Sequence, residues 1–190
     1  GQHTIEDVAT FLGVDARALV KTLIYTADGK PVAVLVRGDR VVNDIKVKRV
    51  LGCNDLVLAA DKIVEDVTKA PVGFAGPVGL NIPIYCDEEV CAMPSFICGG
   101  NAADLHLRHV VPKRDYQPTV CGGDFRQAAA GDACARCADG HFTAFRGVEV
   151  GQVFFLGTKY STPMKCNFLD AEGKEKPMVM GCYGIGVTRI

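Results

Sequence analysis

The chain has 190 residues, with 21 Lys+Arg against 22 Asp+Glu and a formal charge of −1. That length suits one medium domain, or one domain with part of another, and buries roughly 70% of its unfolded surface without needing a disulfide or a metal. With 48% apolar and 23% charged residues, the composition excludes intrinsic disorder and binding of long nucleic acid by charge alone, while leaving room to hold a nucleic-acid end. No run of ~18 apolar residues is present, so no membrane-spanning helix is expected. Glu6 and Asp7 among the first apolar residues do not suit a signal peptide.

Ile5, Val8, Ala9 and Leu12 recur at helical spacing, with Thr4 as cap, Asp7 three positions on and Gly13 as stop. Asp15 can cap a second short helix over 16–19. Val20–Thr26 and Pro31–Arg37 are β-rich and flank the turn Ala27–Lys30, which predicts a hairpin. Val32, Val34 and Val36 face one way and Ala33 and Leu35 the other. Both faces are apolar, so this strand is expected to be central. After the turn Gly38–Arg40, Asn43–Val50 reads as a helix with Ile45 and Val50 inward and Lys46, Lys48 and Arg49 outward.

Asp55–Ala59 reads as a short strand, and Asp61 caps a helix reaching Ala70. Pro71–Gly79 is a glycine- and proline-rich loop. Ile82–Cys86, Val90–Met93 and Leu105–Val111 are strand-like, and Gly99-Gly100-Asn101 is a turn. Residues 112–146 read as loop-dominated, with a boundary near 145. Val148–Phe155 is strand-like, and two glycine-rich turns follow. Irregular alternation of helices and strands favours an α+β fold on a mixed sheet over a doubly wound one.

The nine cysteines are 53, 86, 91, 98, 121, 134, 137, 166 and 182. The number is odd and several lie in apolar runs, so they read as free thiols in a reducing, cytoplasmic compartment. Cys134-Ala135-Arg136-Cys137 lacks a second close pair to complete a zinc set, and no metal site is expected.

Several residues could carry chemistry. Lys21 shares a strand face with Leu23 and Tyr25; it is either a strand-end lysine snorkelling to water or a partly desolvated amine of lowered pKa. Loop 73–79 either simply turns the chain or presents amides to a carbonyl or phosphate. His106, following the Gly-Gly-Asn turn, is structural or orients a water or ribose hydroxyl. Asp87, at a strand end, is a turn-former or a positioned carboxylate. Arg37, Arg40, Lys46, Lys48 and Arg49 form a basic cluster that suits a solvated face or phosphate contact. The string Met180–Arg189, glycine-rich and ending in arginine, suits close approach to a nucleotide.

The strings 147–161 and 180–189 resemble the catalytic core of bacterial-type prolyl-tRNA synthetases running into motif 3. Residues 4–111 resemble the editing domain inserted in those enzymes, a relative of freestanding YbaK-type deacylases. Val20-Lys21-Thr22-Leu23, Leu35–Asp39, Gly73–Pro77 as G-x-x-x-P, and Gly99-Gly100-Asn101 before His106 carry this likeness. The resemblance implies a mixed, partly barrel-like sheet flanked by helices, with an editing domain over 1–145 and a class II core fragment over 146–190. It places catalysis on Lys21, His106 and Asp87. Substrate contacts fall on Gly73, Phe74, Ala75, Gly76, Pro77 and Asn101. It puts ATP contact on Arg189 and the proline pocket near Cys182. Gln152 departs from the histidine that many relatives carry there. Nothing resembles motifs 1 and 2, so the sequence reads as a fragment.

What the resemblance implies is hydrolysis of mischarged alanyl-tRNA(Pro) at the tRNA acceptor end, without a cofactor. The whole enzyme would join proline to tRNA(Pro) with ATP and Mg, typically as a homodimer in the cytoplasm. The alternatives are a freestanding trans-editing deacylase and a non-catalytic module that binds a tRNA end or a metal.

Overall fold

The computed structural model describes residues 4–137 and 139–189. The chain forms two compact units, 1–128 and 129–190. The division falls ahead of the boundary near 145 expected from composition. Residues 129–142 bond among themselves, through Gly131 N to Phe142 O (2.8 Å) and Cys134 N to Gly140 O (2.7 Å).

The first unit begins with α1 (Ile5–Leu12), which Thr4 caps by accepting from Asp7 N and which Gly13 ends in the left-handed region. A 3-10 turn (Ala16–Ala18) leads into β1 (Val20–Ala27) and β2 (Lys30–Arg37). Then come α2 (Asp44–Leu51), β3 (Leu56–Leu58), α3 (Asp61–Thr68), β4 (Ile84–Asp87), α4 (Glu88–Ala92), β5 (Phe96–Gly99), β6 (His106–Val110) and β7 (Val120–Gly123). Five strands form a mixed sheet in the order β3-β1-β2-β4-β7. β1 and β2 are antiparallel, whereas β4 runs parallel to both β2 and β7.

β2 is central, as its two apolar faces require. Ala33, Val34, Leu35 and Val36 are all 0% exposed. Ala33 and Leu35 join Val20, Ile24, Ile84, Cys86 and Val90 on one side. Val32, Val34 and Val36 join Tyr25, Val47 and Phe125 on the other. β5 and β6 form a separate antiparallel pair, linked to the start of β1 by one bridge between Leu19 and Ile97. The mixed sheet flanked by helices is the α+β arrangement expected, and among the described residues it does not close into a complete barrel.

Several expectations are corrected. Val90–Met93 is not a strand: Asp87 accepts from Glu89 N and starts α4, with Glu88 and Glu89 favourably placed in its first turn. Ile45 and Val50 are exposed, and Val47 is the residue of α2 that enters the core. Ala60, not Asp61, is the cap of α3. The tract 112–146 is loop-dominated as expected, but it also contains β7, and Phe125 after it is fully buried. The cysteines are not all free, because Cys91 of α4 and Cys121 of β7 are disulfide-bonded. The glycines around β7 obscured its strand character, and a pairing thirty residues apart leaves no local sequence signal.

The second unit contains β8 (Gly151–Gly157), α5 (Ser161–Met164), β9 (Asn167–Leu169), β10 (Glu175–Pro177) and β11 (Met180–Ile185). β8 pairs with β11 and β9 with β10, both antiparallel. Val153, Phe155 and Tyr183 on the β8–β11 ladder are more than four-fifths exposed. No helix is long and apolar enough to cross a membrane among the described residues.

Candidate functional site

The Asn101 side chain holds the Gly/Pro loop at three points. Asn101, itself in the left-handed region, accepts from Gly76 N at 2.8 Å and donates to the carbonyls of Gly76 (3.0 Å) and Val78 (2.8 Å). Its backbone N–H donates to Phe74 O. The loop lies directly on β5: a Cβ on Gly76 would stand 1.7 Å from Gly99 O, and one on Gly99 would stand 2.3 Å from Phe74 O. Only glycine permits this approach of two backbones. Gly99 in turn pairs with His106 across β5–β6. We expect Asn101→Ala to lower stability by about 2 kcal/mol, because it strands a buried amide and two carbonyls at once. A urea midpoint unchanged from wild type would show that the loop holds its shape without Asn101.

Against this loop lies a cavity of about 380 Å³. Lys21, Gly73, Ala75, Gly99 and His106 all border it. The first turn of α1 contributes Thr4, Ile5 and Glu6, and the β3–α3 segment contributes Leu58, Ala59, Asp61 and Val64. The volume exceeds that of one small amino acid, so any selection by size must come from the walls around the aminoacyl group.

The Lys21 ammonium donates to the carbonyl of Arg40. Burial pulls its pKa below the ordinary lysine value, and Glu6 and Asp39 partly offset that. Arg40 itself is fixed by a two-pronged pair with Glu89 of α4, at 2.9 Å on each prong. Arg37 grips Asp39 at 2.6 and 2.8 Å and reaches Glu89 at 3.1 Å. Although burial opposes ionisation of Glu89, Arg40, Arg37 and Arg126 together hold its carboxyl below the usual range. The Arg37 and Arg40 part of the basic cluster is thus a neutralised network that supports Lys21.

His106 is half-buried and meets the buried Phe74 ring edge-on at 6.2 Å. Burial lowers its pKa from 6.5, and Asp104 offsets this in part. The unfolded chain therefore binds more protons between the folded value and 6.5, and stability falls as pH drops through that window. His106→Gln removes this component. Denaturant midpoints at about pH 7.5 and about pH 5.5 check it, with a smaller acid loss expected for the variant. Equal losses in both proteins would contradict the sign.

The structure brings together Lys21, His106, Gly73 and Ala75 around the cavity, with Phe74, Gly76, Pro77 and Asn101 forming or holding the loop behind it. Asp87 does not border the cavity. It is 1% exposed, and its two oxygens accept from Glu89 N (3.0 Å) and Phe125 N (2.8 Å), joining α4 to the segment after β7. Arg189 and Cys182 belong to the second unit. Cys182 is exposed on β11 opposite Phe154, and Arg189 donates to Glu149 O at 3.3 Å. Sequence reasoning missed Thr4, Glu6 and Asp61 as cavity residues, because capping already explained two of them and no local pattern points a helix start at a distant loop. Among the described residues no three His, Cys, Asp or Glu side chains converge as a metal site. Cys134 and Cys137 are free, and Cys134 accepts from Arg136 N at 3.4 Å.

Comparison with known proteins adds the following. Residues 1–115 match the aminoacyl-tRNA editing domain family. A proline–tRNA ligase of Geobacter metallireducens is 54% identical over 188 residues, covering 99% of this chain and 33% of that protein. One from Desulfovibrio desulfuricans is 51% identical over 190 residues, covering 100% and 33%. The chain spans about a third of the length of the curated relatives it matches. A crystal structure of a candidate trans-editing enzyme for prolyl tRNA synthetase has the same fold, with a TM-score of 0.58 at 24% identity over 67% of this chain and 82% of that one. A hypothetical protein of known structure matches with a TM-score of 0.58 at 28% identity, covering 66% and 85%.

Proposed function

The chain belongs to the aminoacyl-tRNA editing domain family, and from that premise we propose that it hydrolyses alanyl-tRNA(Pro) as the proofreading segment of a proline–tRNA ligase. The observation that carries this is the cavity bordered at once by Lys21, the Gly73–Ala75 loop and His106. An ester between alanine and the terminal ribose is already activated, so no covalent nucleophile is needed. Water attacks the ester carbonyl, the acyl C–O bond breaks, and the ribose oxygen takes the proton.

In this reading the Lys21 ammonium supplies positive charge for the terminal phosphate or the developing oxyanion. Amides of the 73–77 loop position the carbonyl, and neutral His106 orients the ribose or the water. Asp87 positions α4 and therefore Glu89, which fixes Arg40 behind Lys21. Lys21 as general base is the weaker mechanism, because its pKa would have to fall far from about 10.4. A synthetase needs such a site because the smaller amino acid fits its proline pocket, and the lost contact is worth only ~1–3 kcal/mol.

We assign 146–190 to a class II core segment of the ligase, with Arg189 toward ATP and Cys182 near the proline pocket. ATP and Mg serve the ligase reaction of the whole homodimeric, cytoplasmic enzyme, and editing uses neither. The exposed β8–β11 ladder suits a sheet completed by further strands, since two strands alone are marginal. Incubating the chain with alanyl-tRNA(Pro) is expected to release free alanine well above the spontaneous rate. Release at the spontaneous rate would overturn the proposal.

A further inference from the structure

A second hollow, of about 360 Å³, lies beyond His106. Phe11 and Leu12 of α1, Phe74, Asp104, His106 and Arg108 border it. His106 is therefore a wall common to both hollows, and α1 runs along both, with Thr4–Glu6 at the first and Phe11 at the second. Ile5 and Phe11 are separated by about 9 Å along the helix axis. That is comparable with the reach of one nucleoside from its 3′ oxygen to the far side of its base.

The chemistry of the second hollow differs from that of the first. Phe11 is 74% exposed, so its ring is not part of the core and offers an open apolar face. Arg108 makes no ion pair among the described residues, and its planar guanidinium can stack or donate. The Asp104 carboxylate is an acceptor at the same rim. An exposed aromatic ring, an unpaired guanidinium and an acceptor together suit a flat heterocycle with an exocyclic amine.

We propose that this second hollow is a nucleobase subsite, which takes the adenine of the same terminal nucleotide whose aminoacyl ester occupies the first cavity. The inference rests on the editing function proposed above. His106 then stands at the ribose, between ester and base, and Phe11 stacks on the adenine. Arg108 and Asp104 fix the base edge.

The test uses the 190-residue chain and two substrates: alanyl-tRNA(Pro) with its normal end, and the same tRNA with an abasic terminal nucleotide. Wild type is expected to show a KM about tenfold lower for the normal end. Phe11→Ala is expected to raise that KM about tenfold with kcat unchanged, and to leave the abasic substrate unaffected. Phe11→Trp is expected to keep the normal KM, and Arg108→Gln to raise it several-fold. Equal KM values for both substrates in wild type overturn the subsite while leaving editing intact. So does a Phe11→Ala loss that is the same on both substrates, which is what a surface covered by a protein partner or a purely structural role would give. Failure of wild type to cleave either substrate overturns the editing function and the subsite with it.

Discussion

Lys21→Ala is expected to lower the rate of alanyl-tRNA(Pro) deacylation at least about a hundredfold while leaving the fold at least as stable as wild type. The two halves of that expectation have one cause. The ammonium borders the cavity, is half-buried, and has a depressed pKa chiefly because burial disfavours its charge. A group whose folded pKa lies below its unfolded value weakens the fold at neutral pH, so its removal relieves a cost. What is lost is one bond to the carbonyl of Arg40, a residue that is only partly buried. The positive charge is lost too, and electrostatic stabilisation of a developing oxyanion is worth factors of ~10²–10³. Deacylation rates and thermal melting of the same preparation check both halves. Retained activity in Lys21→Ala removes this residue from the mechanism. A large drop in melting temperature makes its role structural. Between about pH 6 and 9 the wild-type rate is expected to show no inflection belonging to Lys21, since a cation role needs only that the ammonium persist.

Gly76→Ala is expected to destabilise the first unit by about 3 kcal/mol or more and to abolish deacylation. The new methyl group would stand 1.7 Å from the Gly99 carbonyl oxygen, a clash with backbone on which no rotamer change can act. Relief requires the loop to lift from β5. That would break the bonds from Asn101 and move the wall that contains Gly73 and Ala75. Gly79→Ala is the matched control. Its φ of +79° strains an alanine by about 1 kcal/mol, but no atom lies within 4 Å of the added carbon. Urea unfolding of the two variants separates clash from strain. Equal costs would mean that the loop is not pressed onto β5.

The sequence carried the central hairpin clearly. Alternating apolar faces on Val32–Val36 predict a strand covered on both sides, and those residues are fully buried. The start of α1, the turn at Asp28-Gly29 and the loop 71–79 were also legible, because caps, left-handed residues and prolines act locally. Val90–Met93 was misread because its four residues are too few to distinguish helix from strand by period, and the deciding bond is the one Glu89 N donates to Asp87. β7 was hidden by its two glycines, and it is held by pairing with β4 rather than by its own propensity.

The candidate site was legible in parts. Lys21, the Gly/Pro loop and His106 stood out as residues. That they border one cavity, and that Asn101 locks the loop while Glu89 fixes Arg40 behind Lys21, depends on contacts across 25 to 49 residues. Asp87 illustrates the limit most clearly. Its position at a strand end left open a turn-former or a positioned carboxylate, and the resemblance placed catalysis there, whereas its two oxygens accept from the backbone amides of Glu89 and Phe125.

The most direct measurement compares the rates at which this chain deacylates alanyl-tRNA(Pro) and prolyl-tRNA(Pro) under identical conditions. A site that proofreads by size is expected to release alanine at least about tenfold faster than proline, as one or two methylenes of steric exclusion allow. Equal rates, or faster loss of proline, would contradict a wall built from Lys21 and the Gly73–Ala75 loop as the feature that tells the two amino acids apart.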